Sequence, residues 1–288
     1  MRIFLAGATG VLGSRVVPRL AAAGHQVTAA TRSQAKAGAL RAAGAAPVLV
    51  DVFDRDTLTA AVADAAPDLV MHQLTDLSGG NTAANARIRV TGTRNLVDAA
   101  ANAGVRKIVA QSIAWAYAAG DGPADESVPL DLSAAGPRSG TVRGVVALET
   151  AVRERPEWVV LRYGLLYGPG TWYAPDGMYA EQARAGRLAA DENVSSFVHA
   201  DDAAAAAVEA LSWPSGVVNV CDNEPAPGRD WVPAFCRAVG APAPPPPLDG
   251  EPARAGWARG AGNRHARHDL GWKPRYPSWR DGFGEFSR

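Results

Sequence analysis

Met1-Arg-Ile-Phe-Leu-Ala-Gly7-Ala-Thr-Gly10-Val-Leu-Gly13 is the stretch on which the fold turns. Arg2 to Ala6 reads as a short buried strand, the three glycines space out as G-x-x-G-x-x-G, and a helix-length run follows to Ala23, closed by Gly24. Gly7 lets the chain turn without a Cβ clash, Gly10 lets backbone N–H groups approach a phosphate, and Gly13 lets the helix pack on the strand. The helix start then offers unpaired N–H groups and a positive dipole end to an anion. In a chain rich in alanine and glycine the spacing alone is weak. Its place directly after a strand and directly before a helix gives it weight, and it predicts a dinucleotide held by Gly7, Thr9, Gly10, Val11, Leu12 and Gly13.

Working outward, the second strand is Gln26 to Thr31. An acidic residue near the end of this strand bonds the ribose 2′-hydroxyl of NAD. Here the position holds Thr31, Arg32 and Ser33, groups suited to a 2′-phosphate, so NADP(H) is expected over NAD; the plainer reading of Arg32 is a solvated loop charge. Pro47 to Asp51 reads as a third strand, Asp56 to Ala65 as a helix, Leu69 to Gln73 as a fourth strand, Ala83 to Ala103 as one long helix, and Lys107 to Gln111 as a fifth strand. Strands alternating with helices across short turns predict an α/β fold with a doubly wound parallel sheet. Its ligand crevice lies at the C-terminal strand ends, which adds Asp51, Val52, Leu74 and Ser112 to the expected cofactor residues.

The second half is less regular. A helix is expected from about Ser139 to Arg153, strands at Trp158 to Leu161, Ser196 to Val198 and Val217 to Val220, and an alanine-rich helix from Asp201 to Leu211. The proline run from Pro242 to Pro247 suits neither helix nor central strand. Beyond it, Trp257, Trp272, Trp279, Phe283 and Phe286 are expected to anchor a small cap.

Composition narrows the function. The 288 residues carry 29 basic and 29 acidic side chains, which leaves no global field for nucleic acid or an anionic membrane. Lysine is confined to Lys36, Lys107 and Lys273. Cys221 and Cys236 stand outside any metal-ligand spacing and read as buried, reduced thiols. His72, and the Arg264-His265-Ala-Arg267-His268 cluster, show no metal pattern. No signal peptide or bilayer-length apolar run is evident, so a soluble, cytoplasmic protein with a small-molecule substrate is expected.

The N-terminal G-A-T-G-V-L-G, Asp51-Val52, Gly92-Thr93-Arg94-Asn95-Leu96, Leu161-Arg162-Tyr163-Gly164 with Tyr167-Gly168-Pro169-Gly170, Phe197-Val198-His199-Ala200-Asp201-Asp202 and Leu270-Gly271-Trp272 together resemble the extended short-chain dehydrogenase/reductase superfamily, the NAD-dependent epimerase/dehydratase family. The resemblance runs over essentially the whole chain. It implies a Rossmann domain made mainly of residues 1–165 and a smaller C-terminal substrate-binding part made mainly of 166–288, with about 194–212 returning to the first. It also suggests a homodimer.

The family's catalytic pattern is a Tyr-x-x-x-Lys on the helix after the fifth strand, with a serine or threonine at that strand's end. The tyrosine moves a proton; the lysine lowers its pKa and holds the nicotinamide ribose. This chain has no Tyr-x-x-x-Lys. With Glu149 matched to the glutamate common on that helix, Thr141 takes the tyrosine position and Val145 the lysine position. Counting back from Tyr117 puts the serine on Ile113, with Ser112 one residue early. Replacement acids or bases expected near the crevice are Tyr117, Tyr163, His199 and Ser112, with Tyr163 also expected against the cofactor; wall residues, or a His199 bonded to Asp201 or Asp202, are the plainer alternatives. Trp115, Trp172 and Tyr173 suggest a flat or apolar substrate; the alternative is that the tryptophans are core residues and that Arg162, Arg184 and Arg187 supply charge to a nucleotide sugar.

The expected function is an NADP(H)-binding oxidoreductase acting on a small carbonyl or hydroxyl compound with a non-standard acid or base. A non-redox isomerase, epimerase or cyclase on the same scaffold, and a non-catalytic NADP(H) sensor, are the alternatives, because fold alone does not establish activity.

Overall fold

A computed structural model describes residues 1–76, 82–245 and 254–287. The strands are β1 (Arg2–Ala6), β2 (Gln26–Thr31), β3 (Ala45–Leu49), β4 (Leu69–His72), β5 (Lys107–Ile113), β6 (Glu157–Tyr163), β7 (Leu165–Tyr167), β8 (Val194–Ser195), β9 (Phe197–His199), β10 (Gly216–Val220) and β11 (Ala226–Pro227). The helices are α1 (Gly13–Ala22), α2 (Ala37–Ala42), α3 (Arg55–Ala65), α4 (Thr82–Arg87), α5 (Thr93–Asn102), α6 (Gly136–Val152), α7 (Met178–Arg184), α8 (Ala200–Glu209), α9 (Gly228–Ala238) and α10 (Trp279–Gly284). Seven strands form one parallel sheet in the order β10-β6-β5-β4-β1-β2-β3. The order reverses after β1, beside β4, and the glycine turn leaves the sheet at that point.

The chain divides into two compact units. The first comprises Met1–Ser112, Leu132–Leu161 and Ala204–Val217. One face of its sheet buries Phe4, Val70, Ile108 and Val160 against Leu58 and Val62 of α3, Leu96 and Val97 of α5, and Leu148 and Val152 of α6. Helix α3 starts at Asp54, whose carboxylate accepts the Thr57 N–H, and ends at Ala66 in a left-handed conformation.

The second unit comprises Ile113–Asp131, Arg162–Ala203 and Val218–Arg288. Its core is aromatic: Tyr167, Tyr173, Phe197, Trp231, Phe235, Trp279 and Phe283 pack together, mostly edge to face. Trp272 is buried as well, whereas Trp257 is 39% exposed. Of the proline run, Pro242 to Pro245 carries no regular structure, and Pro246 and Pro247 lie outside the described residues. Cys221 and Cys236 are buried free thiols.

The long helix expected over Ala83–Ala103 is broken. Between α4 and α5, Ile88–Gly92 is a π turn. The Thr93 N–H reaches back five residues to the Ile88 carbonyl, and the Thr93 hydroxyl donates to the same oxygen at 3.4 Å. His72, at the end of β4, fixes that hydroxyl: its Nε2 lies 2.8 Å from Thr93 Oγ1, while its Nδ1 accepts the Leu74 N–H at 3.3 Å. Both ring nitrogens are used by a neutral imidazole, and a wider turn is what brings Thr93 to it.

Burial pushes the His72 pKa down from its ordinary 6.5 to about 4. The unfolded chain therefore binds a proton that the folded chain refuses. Stability that is fully present above about pH 6.5 is lost as pH falls toward 4, by about 3 kcal/mol from this residue. Urea unfolding at pH 7 and pH 4.5 should show that loss, and His72→Gln should flatten it while lowering stability at pH 7.

Candidate functional site

The glycine turn is built as the spacing predicts. Gly7 has φ +91°, and a Cβ there would run into the Gln73 carbonyl after β4. A Cβ on Gly13 would strike the Gly7 carbonyl and Ala8, so α1 starts in direct contact with the turn. The Gly10 N–H closes the turn onto the Gly7 carbonyl at 3.1 Å. Among the described residues nothing accepts the N–H groups of Val11 and Leu12, and α1 has no side-chain cap at Leu12 and no acidic residue in its first turn. An uncapped, acid-free helix start with open donors fits a diphosphate.

Around the turn lie the other strand ends of the same unit. Thr31 is buried, and its Oγ1 accepts the Ser33 N–H at 3.1 Å, shaping the loop. Arg32 is exposed, and no described residue pairs with its guanidinium. After β3, Asp51 accepts the Phe53 N–H at 3.0 Å, and Asn95 of α5 donates to the Val52 carbonyl at 2.9 Å. Gly92 leaves room for Val52, whose Cγ1 stands 3.1 Å from where a Cβ would be. The Gly92-Thr93-Arg94-Asn95 motif thus braces two strand ends, a role the sequence reading did not assign.

The Leu74 carbonyl accepts from Gln111 Nε2 at 2.8 Å. Gln73 is 3% exposed, and neither atom of its carboxamide has a partner among the described residues.

At the end of β5, Ser112 is buried and donates to Glu149 Oε1 at 2.8 Å; Arg153 holds Oε2 at 3.2 Å. Glu149 follows Val145 and Thr141 at four-residue steps, so all three share one face of α6. Val145 is fully buried. The helix is thus pinned to the sheet through Glu149, with Thr141 and Val145 on the same face.

Opposite α6, Arg89 in the π turn is 7% exposed. Burial pushes its pKa down to about 10, which leaves it charged at neutral pH.

The remaining candidates belong to the second unit. Tyr117 is 1% exposed and donates to Asn219 Oδ1 at 2.5 Å, with the Arg162 guanidinium 4.7 Å over its ring. Burial pushes its pKa well above the ordinary tyrosine value, opposite to what an acid needs. Tyr163, at the end of β6, is buried. His199 Nδ1 accepts the Asp201 N–H at 3.2 Å, and its ring lies 4.1 Å from that of Tyr276. Tyr173 stacks on Tyr179 at 4.2 Å inside the core, while Trp115 and Trp172 are half-buried. Asp222, which carried no motif, is 1% exposed and keeps its proton near neutrality: burial raises its pKa to about 8.

Residues 3–221 match the NAD dependent epimerase/dehydratase family. The chain belongs to that family. It is 46% identical, over 99% of both chains, to a Streptomyces 3-diazoavenalumate denitrifying reductase. It is 30% identical to a UDP-glucose 4-epimerase of Mycolicibacterium smegmatis, over 95% of this chain and 94% of that one. The fold is shared with the UDP-glucose 4-epimerase of Thermotoga maritima, solved with UDP-glucose, at a TM-score of 0.76 and 21% identity over 100% of this chain and 97% of the other. The family member described here is therefore an extended short-chain dehydrogenase/reductase of the nicotinamide-dependent oxidoreductase or epimerase type.

The open donors of the glycine turn and the unanswered carboxamide of Gln73 fit that cofactor at the strand ends. Gly7→Ala should cost more than about 2 kcal/mol and remove dinucleotide binding, since a left-handed φ and a collision coincide. Gln73→Leu should raise the stability of the ligand-free protein by about 1–3 kcal/mol, because it removes two buried unpaired groups. Denaturant unfolding of each variant, with and without NADPH, checks both.

Proposed function

We propose that this protein is an NADPH-dependent reductase that replaces the diazo group of a small carboxylate by hydrogen, releasing dinitrogen. The observation that carries the reading is the face of α6, where Thr141 and Val145 stand above a Glu149 locked by Ser112 and Arg153. The helix is held in place, yet neither Thr141 nor Val145 can serve as the proton donor. A threonine hydroxyl is too weak an acid near neutral pH, and valine moves no proton.

That combination suits a reaction which needs no proton from the protein. Reduction of a carbonyl creates an alkoxide and calls for a general acid, worth about 10²- to 10⁴-fold in rate. Reduction of a diazonium carbon does not. The hydride pair forms the new C–H bond, the C–N bond breaks, and its electrons leave with dinitrogen, so the cationic substrate and the hydride give two neutral products. A reduced nicotinamide supplies the hydride when bound. The 46% relative, named as a denitrifying reductase of a diazo compound whose name is that of a carboxylate, supports the substrate class.

The chain's own residues then bind, orient and exclude water. The N–H groups of Val11 and Leu12 take the diphosphate. Arg32, with Thr31 and Ser33, takes the 2′-phosphate, which favours NADPH over NADH. Ser112 and Glu149 keep α6 against the sheet, and the buried Val145 keeps that wall apolar, excluding water that would otherwise compete for a diazonium carbon. Orientation against the hydride donor supplies the remaining acceleration.

The test is turnover of diazotised aminobenzoate with NADPH deuterated at the transferring position. One dinitrogen released per NADPH oxidised, with deuterium on the carbon that lost nitrogen, is the expected result. Thr141→Ala should change kcat by less than about threefold, far below the loss of a general acid. Arg32→Ala should weaken NADPH by about 10- to 100-fold and leave NADH unaffected. Isomerised product with no net NADPH consumption would favour epimerase chemistry, and NADPH binding without any turnover a sensor.

A further inference from the structure

The π turn carries a charge that the fold does not answer. Arg89 is 7% exposed, and among the described residues no carboxylate or carbonyl pairs with its guanidinium. Its side chain lies across α6 at Gly144, where a Cβ would stand 3.4 Å from Arg89 Cδ and 3.5 Å from Arg89 Cβ. A Cβ there would make ordinary contact with it, so the aliphatic part of Arg89 packs directly on α6. The residue after it is Val145, which the resemblance matches to the family's lysine. His72, the titratable group that interacts electrostatically with Arg89, is neutral and offers no compensation.

Arginine is almost never buried unless paired. A lysine in such a place sheds its proton; an arginine stays charged and keeps its desolvation cost. A buried guanidinium flanked by an apolar wall and a neutral histidine lacks one component, an anion.

We propose that Arg89 is an oxyanion-binding residue of the site, taking a carboxylate or phosphate group of a bound molecule. The planar fork presents paired N–H donors to such a group. Two ligands of the proposed reaction carry that chemistry: the substrate through its carboxylate, and the dinucleotide through its phosphates. The inference rests on the reading above in that both bind at the strand ends of this unit. The positive charge which other members place on α6 is thereby supplied from the neighbouring segment, by a residue that cannot act as a base.

The experiment is calorimetric titration of the full-length wild type, Arg89→Met and Arg89→Lys with NADPH, and then of the NADP⁺-saturated proteins with coumarate and with methyl coumarate. Arg89→Met should weaken coumarate or NADPH at least tenfold and leave methyl coumarate unchanged. Its ligand-free melting temperature should be equal to or above that of the wild type, because a buried charge has gone. Arg89→Lys should weaken the same ligand by a smaller factor, and it carries the test should the methionine variant fail to fold.

Loss in the coumarate arm assigns the anion to the substrate; loss in the NADPH arm assigns it to the dinucleotide. Unchanged affinity in both arms, with a lowered melting temperature, would make Arg89 a structural residue and overturn the proposal. A wild type that does not bind NADPH at all would overturn the reductase reading, while selective loss of coumarate binding in Arg89→Met would still uphold the anion site.

Discussion

The absence of two methyl-sized groups, at Gly7 and Gly13, governs the first unit. With no Cβ at Gly7, the turn closes directly against the Gln73 carbonyl, and β4 and β1 end side by side. With no Cβ at Gly13, α1 begins packed against the Gly7 carbonyl, and Leu12 before it offers no side-chain cap. The N–H groups of Val11 and Leu12, at a helix start with no intrahelical acceptor and no side-chain cap, have no acceptor among the described residues. A capped or displaced helix would satisfy its own donors and hold no anion. Close packing and ligand recognition are here one constraint.

That constraint was legible because glycine's role is local: a left-handed turn and a tight approach both demand the residue itself. Alternating strands and helices were legible for a similar reason, since apolar runs and turn residues repeat at short range. Arg32 stands one residue beyond β2, as the sequence places it, and is exposed there. The π turn was not. Ala83 to Ala103 has the composition of a continuous helix, and the widening at Ile88–Gly92 depends on His72, sixteen or more residues away, reaching Thr93. Arg89 escaped notice for the same reason: on an unbroken helix it reads as one more surface charge. Gln73 and Asp222 carry no motif, and their burial without full hydrogen bonding emerges only when the strands are assembled. Tyr117 was named from its neighbours in sequence, but its environment, a hydrogen bond to Asn219 and near-complete burial, works against the release of its proton.

No Tyr-x-x-x-Lys occurs in this chain, and α6 is nonetheless firmly held. Glu149 still accepts from Ser112 and Arg153, and α6 still buries Leu148 and Val152 against the sheet. Val145 is buried, and so is an Arg89 that pairs with no carboxylate or carbonyl among the described residues, on adjoining elements. Each is costly or unhelpful in isolation: a valine is a middling helix former, and a lone guanidinium pays desolvation. On the proposed reading they form one wall of the site, apolar at one point and cationic at the next.

Such a wall discriminates between reactions by what it withholds. A carbonyl approaching it would meet a hydride but no proton, and the alkoxide would have to be born beside an apolar side chain, which raises its energy. A cationic diazonium is consumed by the same hydride with charge annihilated, not created, and an apolar environment favours that step, since the reactants lose more solvation than the products. The guanidinium at Arg89 would oppose a cation placed against it, unless the same molecule presents its own anion there. A substrate bearing a carboxylate at one end and a diazonium at the other meets both conditions, and it is fixed in orientation by having only one end that the arginine accepts.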